Sequence, residues 1–420
     1  MLFLIQLAAK NMTRYLKRTL ITASAIGFGL GLFLFTDSLL MGAERDSERN
    51  LIWYETASLR LYHKDNVDQY EKMNLKNLIE HPEQITRVLS KNNIKVTTRT
   101  TFSGDLIIRQ NPYPEDGSMM VRISAIDTNR DSSVYRLKDS LEDGSQWLKE
   151  GSNGVILGAW LAEDIGAKVG YPLTLVTRTR EGAFQTMDLD IVGIVNTGNP
   201  IINRYSVIID QQYANTMLLL GGAVTQIDIA YPVTEDVEQL QPRIVNVISQ
   251  HRQDIAVLTW RDLASGYLSL VATKRSGSSS ILGLVFLISL VGITNTMLMA
   301  MYERRKELGM MRALGMKDSE IRLAFVFEAG GIGIIGGVAG LILGVILVWP
   351  MVNIGIDYSF LLREMDVGYR LSNIFRGTWR PEMFLVAFIA SVMFSMLVAL
   401  IPTRQALKMS ITECLGGSSQ

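Results

Sequence analysis

The stretch NTMLMAMYERRKELGMMRALGMKDSEIRLAFVFEAGGIGIIGG, Asn295 to Gly337, decides how the rest of the chain is read. It passes from an uncharged apolar run, through a short charged segment broken by glycine, into a second apolar run. The charged part carries helical spacing over Glu303–Leu314, and Gly315 is placed to end that helix in the left-handed conformation. Asp318 or Ser319 is then placed to cap a second helix that continues into the next apolar run. Helix, tight corner and helix make a firm knob between two hydrophobic segments. A simple basic anchor needs neither the glycine corner nor the alternating charges.

Outward from this knob, four segments lack charge for long enough to span a bilayer, which takes about 20 helical residues. Their cores are Thr19–Leu40, Ile281–Met301, Ala329–Trp349 and Met383–Ile401. With flanks, the spans are expected at 19–41, 277–302, 324–350 and 383–402. Buried helices of a soluble protein rarely reach this length without a polar stripe. The first segment is too long for a cleaved signal peptide, and no small-residue cleavage site follows Leu40. Residues 1–18 form an amphipathic elbow, with Leu4, Leu7, Ala8 and Tyr15 on one face and Lys10, Arg14 and Lys17 on another. That pattern suits a helix lying on an anionic leaflet.

Basic residues orient the spans. Lys10, Arg14, Lys17 and Arg18 precede the first, Arg304 to Arg322 separate the second from the third, and Arg404 and Lys408 follow the fourth. Both termini, the segment 303–323 and the tail 403–420 are therefore expected in the cytoplasm. The large segment 42–276 and the loop 351–382 face outward, although that loop carries four arginines of its own.

The outer segment reads as α+β. Alternating β-branched runs predict strands at Ser58–Tyr62, Lys95–Thr101, Leu106–Arg109, Val121–Ile126, Leu173–Thr177, Asp188–Val195 and Ser206–Ile209. Helical spacing marks Glu83–Lys91, Ala159–Ile165, Gln211–Leu219 and Val237–Gln250. The recurring strand–helix–strand order predicts split βαβ-type units.

Composition excludes several functions. Of 420 residues, 48% are hydrophobic and 20% charged, and Lys+Arg and Asp+Glu balance at 41 each, so no basic field points to nucleic acid. The single cysteine, Cys414, excludes disulfide frameworks and cysteine-based metal sites, and His63, His81 and His251 share no ligand spacing. The run Gly166–Gly170 (GAKVG) lacks the Lys-Ser/Thr of a phosphate-cradling loop. Asp188 and Asp190 share a strand face that reads as solvated. Nothing indicates a catalytic or metal site.

The chain resembles the FtsX/MacB-type permeases of ABC transporters, the mechanotransmission class. The resemblance rests on Asn295-Thr296-Met297, Glu303-Arg304, Glu307-Leu308-Gly309, Arg312-Ala313-Leu314-Gly315-Met316 and Glu328-Ala329. AAKNMTRYLKRTLIT before the first span, GVILGAWLAEDIGAKVGYPLTL (Gly154–Leu175) and IPTRQALKMSITECL (Ile401–Leu415) are similar to the family's elbow, outer domain and tail. Length and layout are most similar to the lipoprotein-releasing Lol-type branch, LolC and LolE.

The resemblance implies a membrane protein of four transmembrane α-helices with a large α+β, MacB-like periplasmic domain between helices 1 and 2. It implies a bacterial inner-membrane subunit that binds no cofactor itself and is not an enzyme. ATP and Mg would be bound by a separate cytosolic ATPase dimer, since these residues hold no ATP-binding motif; the resemblance implies the stand-alone form of the permease. Coupling to the ATPase would fall to Glu303, Arg304, Glu307, Arg312, Met316, Lys317, Asp318, Ser319 and Glu320. Phe33, Phe35, Asp37, Leu39, Leu282 and Phe286, near the outer ends of their spans, are the substrate-pocket candidates. Gly336, Gly340 and Gly344 lie nearly on one face of the third span and are candidates for close helix packing. The further partners implied are a second permease (a copy or a paralogue), a lipoprotein or other amphipathic substrate, membrane lipid and a periplasmic carrier. Direct contact with a carrier is disfavoured because Thr177–Thr186, where Lol permeases have a long hairpin, is short. The alternatives are an FtsX-like signalling permease that activates an outer hydrolase, and a MacB-like efflux component.

Overall fold

The computed structural model describes residues 2–14, 16–67, 73–231, 237–273, 305–357 and 374–408, with scattered positions from 280 to 303. The chain divides into two compact units. One, mainly helical, comprises Met1–Ala43, Val271–Ile356 and Arg376–Gln420; the other, an α/β unit, comprises Glu44–Leu270 and Asp357–Phe375.

In the helical unit, α1 (Leu2–Arg14) is the elbow and α2 (Leu16–Leu51) begins two residues later. After the intervening residues come α9 (Arg305–Ala313), α10 (Asp318–Asn353) and α11 (Pro381–Ala406). Among the described residues, three helical stretches are long and apolar enough to cross a membrane: Thr19–Thr56, Asp318–Asn353 and Pro381–Gln405. The expected span at 277–302 lies, apart from scattered positions, outside the described residues. The first helix does not stop at residue 41 but continues to Leu51 and then through a π-helical turn, Ile52–Thr56. At about 1.5 Å per residue its 36 residues extend about 54 Å, well past a hydrocarbon core of about 30 Å. The last turns of α2 are charged and belong to the α/β unit, where Asn50 lies against Gly198.

Glycine sets how closely the helices approach. A Cβ on Gly336 would lie 2.9 Å from the Ala23 carbonyl, and one on Gly340 would lie 2.6 Å from Leu30 Cδ2 and 3.0 Å from the Gly27 carbonyl. A Cβ on Gly344 would meet Leu34 at 2.6 Å. The three glycines thus form the face of α10 that receives α2. On the other side of α10, Gly333 and Gly337 receive Ser395, Ser391 and Phe388 of α11.

The α/β unit contains nine strands: β1 (Leu59–His63), β2 (Lys95–Ile108), β3 (Gly117–Ile126), β4 (Gly154–Gly158), β5 (Pro172–Arg178), β6 (Phe184–Val195), β7 (Ser206–Asp210), β8 (Gln226–Ala230) and β9 (Ile255–Thr259). Its helices are α3 (Pro82–Lys91), α4 (Ala159–Ile165), α5 (Pro200–Tyr205), α6 (Gln211–Leu218), α7 (Val237–Ser249) and the short α8 (Trp260–Leu263). The strand order is β3-β7-β4-β6-β5-β2-β8-β1-β9, and β2 also pairs with β3. Six strands therefore close into a ring around a core that includes Leu106, Ile123, Leu157, Leu175, Leu189 and Ile209.

The remaining order, β2-β8-β1-β9, consists of two interlocked split units. β1–α3–β2 flank β8, and β8–α7–β9 flank β1, with every neighbouring pair antiparallel. This is the ferredoxin-like arrangement, with the ring inserted between β2 and β8. The strands predicted separately at Lys95–Thr101 and Leu106–Arg109 are one strand, β2. Ser103-Gly104 reads as a break, but the glycine serves close approach: a Cβ on Gly104 would sit 2.9 Å from the Val176 carbonyl of β5.

Candidate functional site

The corner between α9 and α10 is built from local chemistry. Gly315 takes φ +93°, and the Met316 amide donates to the Met311 carbonyl at 3.1 Å, closing the C-terminal end of α9. The capping of α10 differs from the expectation on Asp318 and Ser319. Lys317 is the N-cap residue, and Glu320 reaches back to accept from its amide at 2.9 Å. Asp318 instead pairs with Arg312 across the corner at 3.1 Å, because the first turn of α10 faces the last turn of α9. Leu308, Ile321 and Phe325 are buried together, with Met311, Met316 and Leu407 packed around them. At the tip, Leu314 is 82% exposed, the most exposed large hydrophobic residue among those described.

The elbow is fastened to this corner. Arg14 Nη1 donates to Glu307 at 3.0 Å, and Asn11 Nδ2 donates to the buried Glu328 at 3.3 Å. Between them lies a cavity of about 230 Å³ lined by Asn11, Glu307, Leu308, Met311, Phe325 and Glu328. Of the coupling candidates, Arg312, Met316, Lys317, Asp318 and Glu320 lie at this corner with Ser319 exposed beside them, Glu307 lies earlier on α9 against Arg14, and Glu303 is exposed two residues before α9. Arg304 lies outside the described residues. Leu314, Asn11 and Arg14 stand within the quoted motifs but outside the coupling candidates; an apolar residue immediately before a corner glycine is the signal available for Leu314.

A second cluster lies at the other end of α2. Asp37 accepts from Arg380 Nη1 at 3.1 and 3.3 Å. Arg380 also pairs with Glu382 at 3.0 Å. At the next residue, Ser38 Oγ donates to the Thr378 carbonyl at 3.0 Å, and one turn along the chain at Arg376–Gly377 crosses Gly42 at a distance no Cβ would allow. Phe33 packs with Leu30, Leu34, Leu341, Phe384 and Ala387. At helical spacing Phe35 and Leu39 lie on a different face, in line with the exposed Ile21, Phe28 and Leu32. The four described pocket candidates therefore do not share one wall: Phe33 and Asp37 point to neighbouring segments, and Phe35 and Leu39 continue an outward apolar stripe. Leu282 and Phe286 lie outside the described residues.

Three bilayer-length helices, a tight polar corner and a large α/β unit define a membrane protein with a substantial domain outside the spans. Residues 279–411 match the FtsX-like permease C-terminal family. An uncharacterized ABC transporter permease of Methanocaldococcus jannaschii is 27% identical over 233 residues, 54% of this chain and 54% of its own. LolC of the lipoprotein-releasing system of Neisseria meningitidis is 24% identical over 306 residues, covering 70% of this chain and 72% of its own. The periplasmic region of MacB from Actinobacillus actinomycetemcomitans superposes with a TM-score of 0.37 and 13% identity, over 52% of this chain and 95% of that region. The alignment thus spans about half the length of the archaeal relative and nearly three quarters of the neisserial one. Residues 279–411 are thus similar to the FtsX-like permease C-terminal family, and the chain is similar to LolC, MacB and other ABC transporter permeases.

Proposed function

We propose that this chain is the membrane subunit of a mechanotransmission ABC transporter in a bacterial inner membrane, with both termini in the cytoplasm. A cytosolic ATPase dimer binds ATP and Mg and drives a pair of permeases, either two copies or a copy and a paralogue. The work is done outside, on a lipoprotein or another amphipathic substrate withdrawn from the outer leaflet, without a channel through the bilayer. The stripe Ile21, Phe28, Leu32, Phe35 and Leu39 supplies an apolar wall for acyl chains, each buried methylene contributing about 0.8 kcal/mol. The turn joining β5 to β6, Thr179–Ala183, is too short to reach far toward a carrier.

The observation that carries this reading is the α9–Gly315–α10 corner. It presents Leu314 outward, is internally fixed by Arg312–Asp318, and continues directly into a 36-residue helix. Such a corner passes a push on its tip along a helix axis with little local give. The exposed leucine is the anchor for a groove on the ATPase, and Lys317 and Ser319 form its rim. The test is Leu314→Asp in the permease purified with its ATPase in lipid nanodiscs. Stimulated ATP hydrolysis should fall at least tenfold, with membrane insertion and yield unchanged. Wild-type stimulation in that variant would remove the corner from the coupling path. Asp318 and Glu320 are less informative targets, since each serves the corner's own geometry.

A further inference from the structure

Residues 1–20 carry Lys10, Arg14, Lys17 and Arg18 and no acidic residue, so every position of the elbow adds either positive charge or none. Lys10 and Arg14 stand one turn apart on the exposed side of α1, and Lys17 is exposed in the first turn of α2. Among the described residues Lys10 and Lys17 form no ion pair. Arg14, between them in sequence, donates to Glu307 at 3.0 Å. That pair is open to solvent, with 61% of the arginine side chain and 43% of the glutamate exposed. An exposed ion pair contributes little, because water screens it and two long side chains must be held still.

The elbow is also held by contacts that this pair does not supply. Asn11 Nδ2 donates to Glu328, a buried carboxylate of α10. Met12 fills the notch left by Gly331, and Ala8 is buried. The Thr19 hydroxyl donates to the Met12 carbonyl at 3.3 Å across the bend between α1 and α2. Loss of the Arg14–Glu307 bond thus leaves α1 seated on α10 and loosens its link to α9. Lys17 also heads an exposed apolar face of α2, formed at helical spacing by Ile21, Phe28 and Leu32. Cations at the head of an outward apolar stripe offer one surface to an anionic headgroup and another to its acyl chains. A soluble anion has a use for the first alone.

We propose that the elbow binds anionic phospholipid along Lys10, Arg14 and Lys17, and that the lipid phosphate competes with Glu307 for the Arg14 guanidinium. Phosphate, like carboxylate, accepts two parallel N–H bonds from a guanidinium, so the exchange costs Arg14 no hydrogen bonding. A basic residue at an anionic leaflet gains about as much as an exposed ion pair contributes. Lipid composition therefore decides which partner Arg14 keeps. In a neutral membrane Arg14 fastens the elbow to α9, the first helix of the corner. In an anionic one it turns to the headgroups and Glu307 is released, which makes the elbow a charge-sensitive latch on the corner. What the release does to ATPase coupling rests on the function proposed above; the lipid binding itself does not.

The experiment places the full-length chain, without any ATPase, in nanodiscs of equal parts phosphatidylglycerol and phosphatidylcholine. Native mass spectrometry then counts the lipids retained after release into mild detergent. Nanodiscs expose both leaflets alike, so the result does not depend on the orientation of the chain. Wild type should retain phosphatidylglycerol in at least tenfold preference. Lys10→Gln and Lys17→Gln should each lower that preference about fivefold, the equivalent of about 1 kcal/mol per basic residue at an anionic surface. Glu307→Gln should raise it severalfold, because the competitor for Arg14 is gone, and the rise should vanish in the Glu307→Gln, Arg14→Gln double variant. Excess inorganic phosphate should displace none of the retained lipid. Equal retention of the two lipids, an unchanged preference in both lysine variants, no rise in Glu307→Gln, a rise of the same size in the double variant, or displacement by inorganic phosphate would each overturn the proposal. Each of these leaves Leu314→Asp, the test of coupling, to be read by itself.

Discussion

A carboxylate inside an apolar helix is tolerated only when something compensates it, since insertion costs about 2.5–3.5 kcal/mol at the centre of a span. For Asp37 the compensation is Arg380, which leaves both side chains largely shielded, at 18% and 24% exposure. The pair joins α2 to the segment leading into α11, while Ser38 and Thr378 exchange hydrogen bonds beside it. Asp37→Asn and Arg380→Gln should each lower the melting temperature of the helical unit. The double variant should cost less than the sum of the two, with a coupling energy of about 1–2 kcal/mol in a double-mutant cycle. Strict additivity would show that the pair holds nothing together. The sequence exposes the cost of Asp37 but not its partner, because Arg380 sits 343 positions away in a loop whose arginines read only as exceptions to the charge rule. The same limit hid Asp228, which has the look of a surface residue within QIDIA and is fully buried against Arg60.

At the scale of elements, the long helices are legible because a bilayer-length apolar run has few other readings, and the glycine spacing of α10 marks a packing face. The short strands β4, β8 and β9 are less legible. Five residues carry too little alternation to separate a buried strand from part of a helix. The approach of α2 to α10 leaves no room at Gly340, where an added side chain meets both Leu30 and the Gly27 backbone. Gly340→Leu should therefore separate the two helices at a cost of about 1–3 kcal/mol, as overpacking does elsewhere. Ile342→Leu, at an outward position on the same helix, is the matched control. Thermal unfolding in nanodiscs should show a drop for the first and none for the second. Equal melting temperatures would mean that the helix pair slides apart freely and that the glycines contribute no fixed contact.

At the scale of the molecule, the chain divides into two compact units, and in the α/β unit one ion pair ties stability to pH. Arg252 holds the Asp254 carboxyl down at about 2, chiefly by hydrogen bonding to it. Arg252 also donates to the Glu80 carbonyl at 2.8 Å, while the Lys64 amide donates to the Asp254 carbonyl at 2.8 Å. The pair thus ties the loop before β9 to the end of β1 and the start of α3, with His63 3.7 Å from Asp254. An unfolded aspartate titrates at about 3.9. A carboxyl whose folded value lies lower contributes its stability fully above that range and loses it as the pH falls toward 2. The contribution is modest, because the pair is partly exposed and screened by solvent. Arg252→Gln should therefore unfold the α/β unit at lower denaturant than wild type at pH 7, by the same margin down to about pH 5. Below about pH 4 the margin should narrow, because protonation then removes in wild type what the substitution has already removed. Urea unfolding followed at several pH values reads both curves, and a margin at pH 2 as wide as at pH 7 would place the stabilising role of Arg252 in its bond to Glu80 instead.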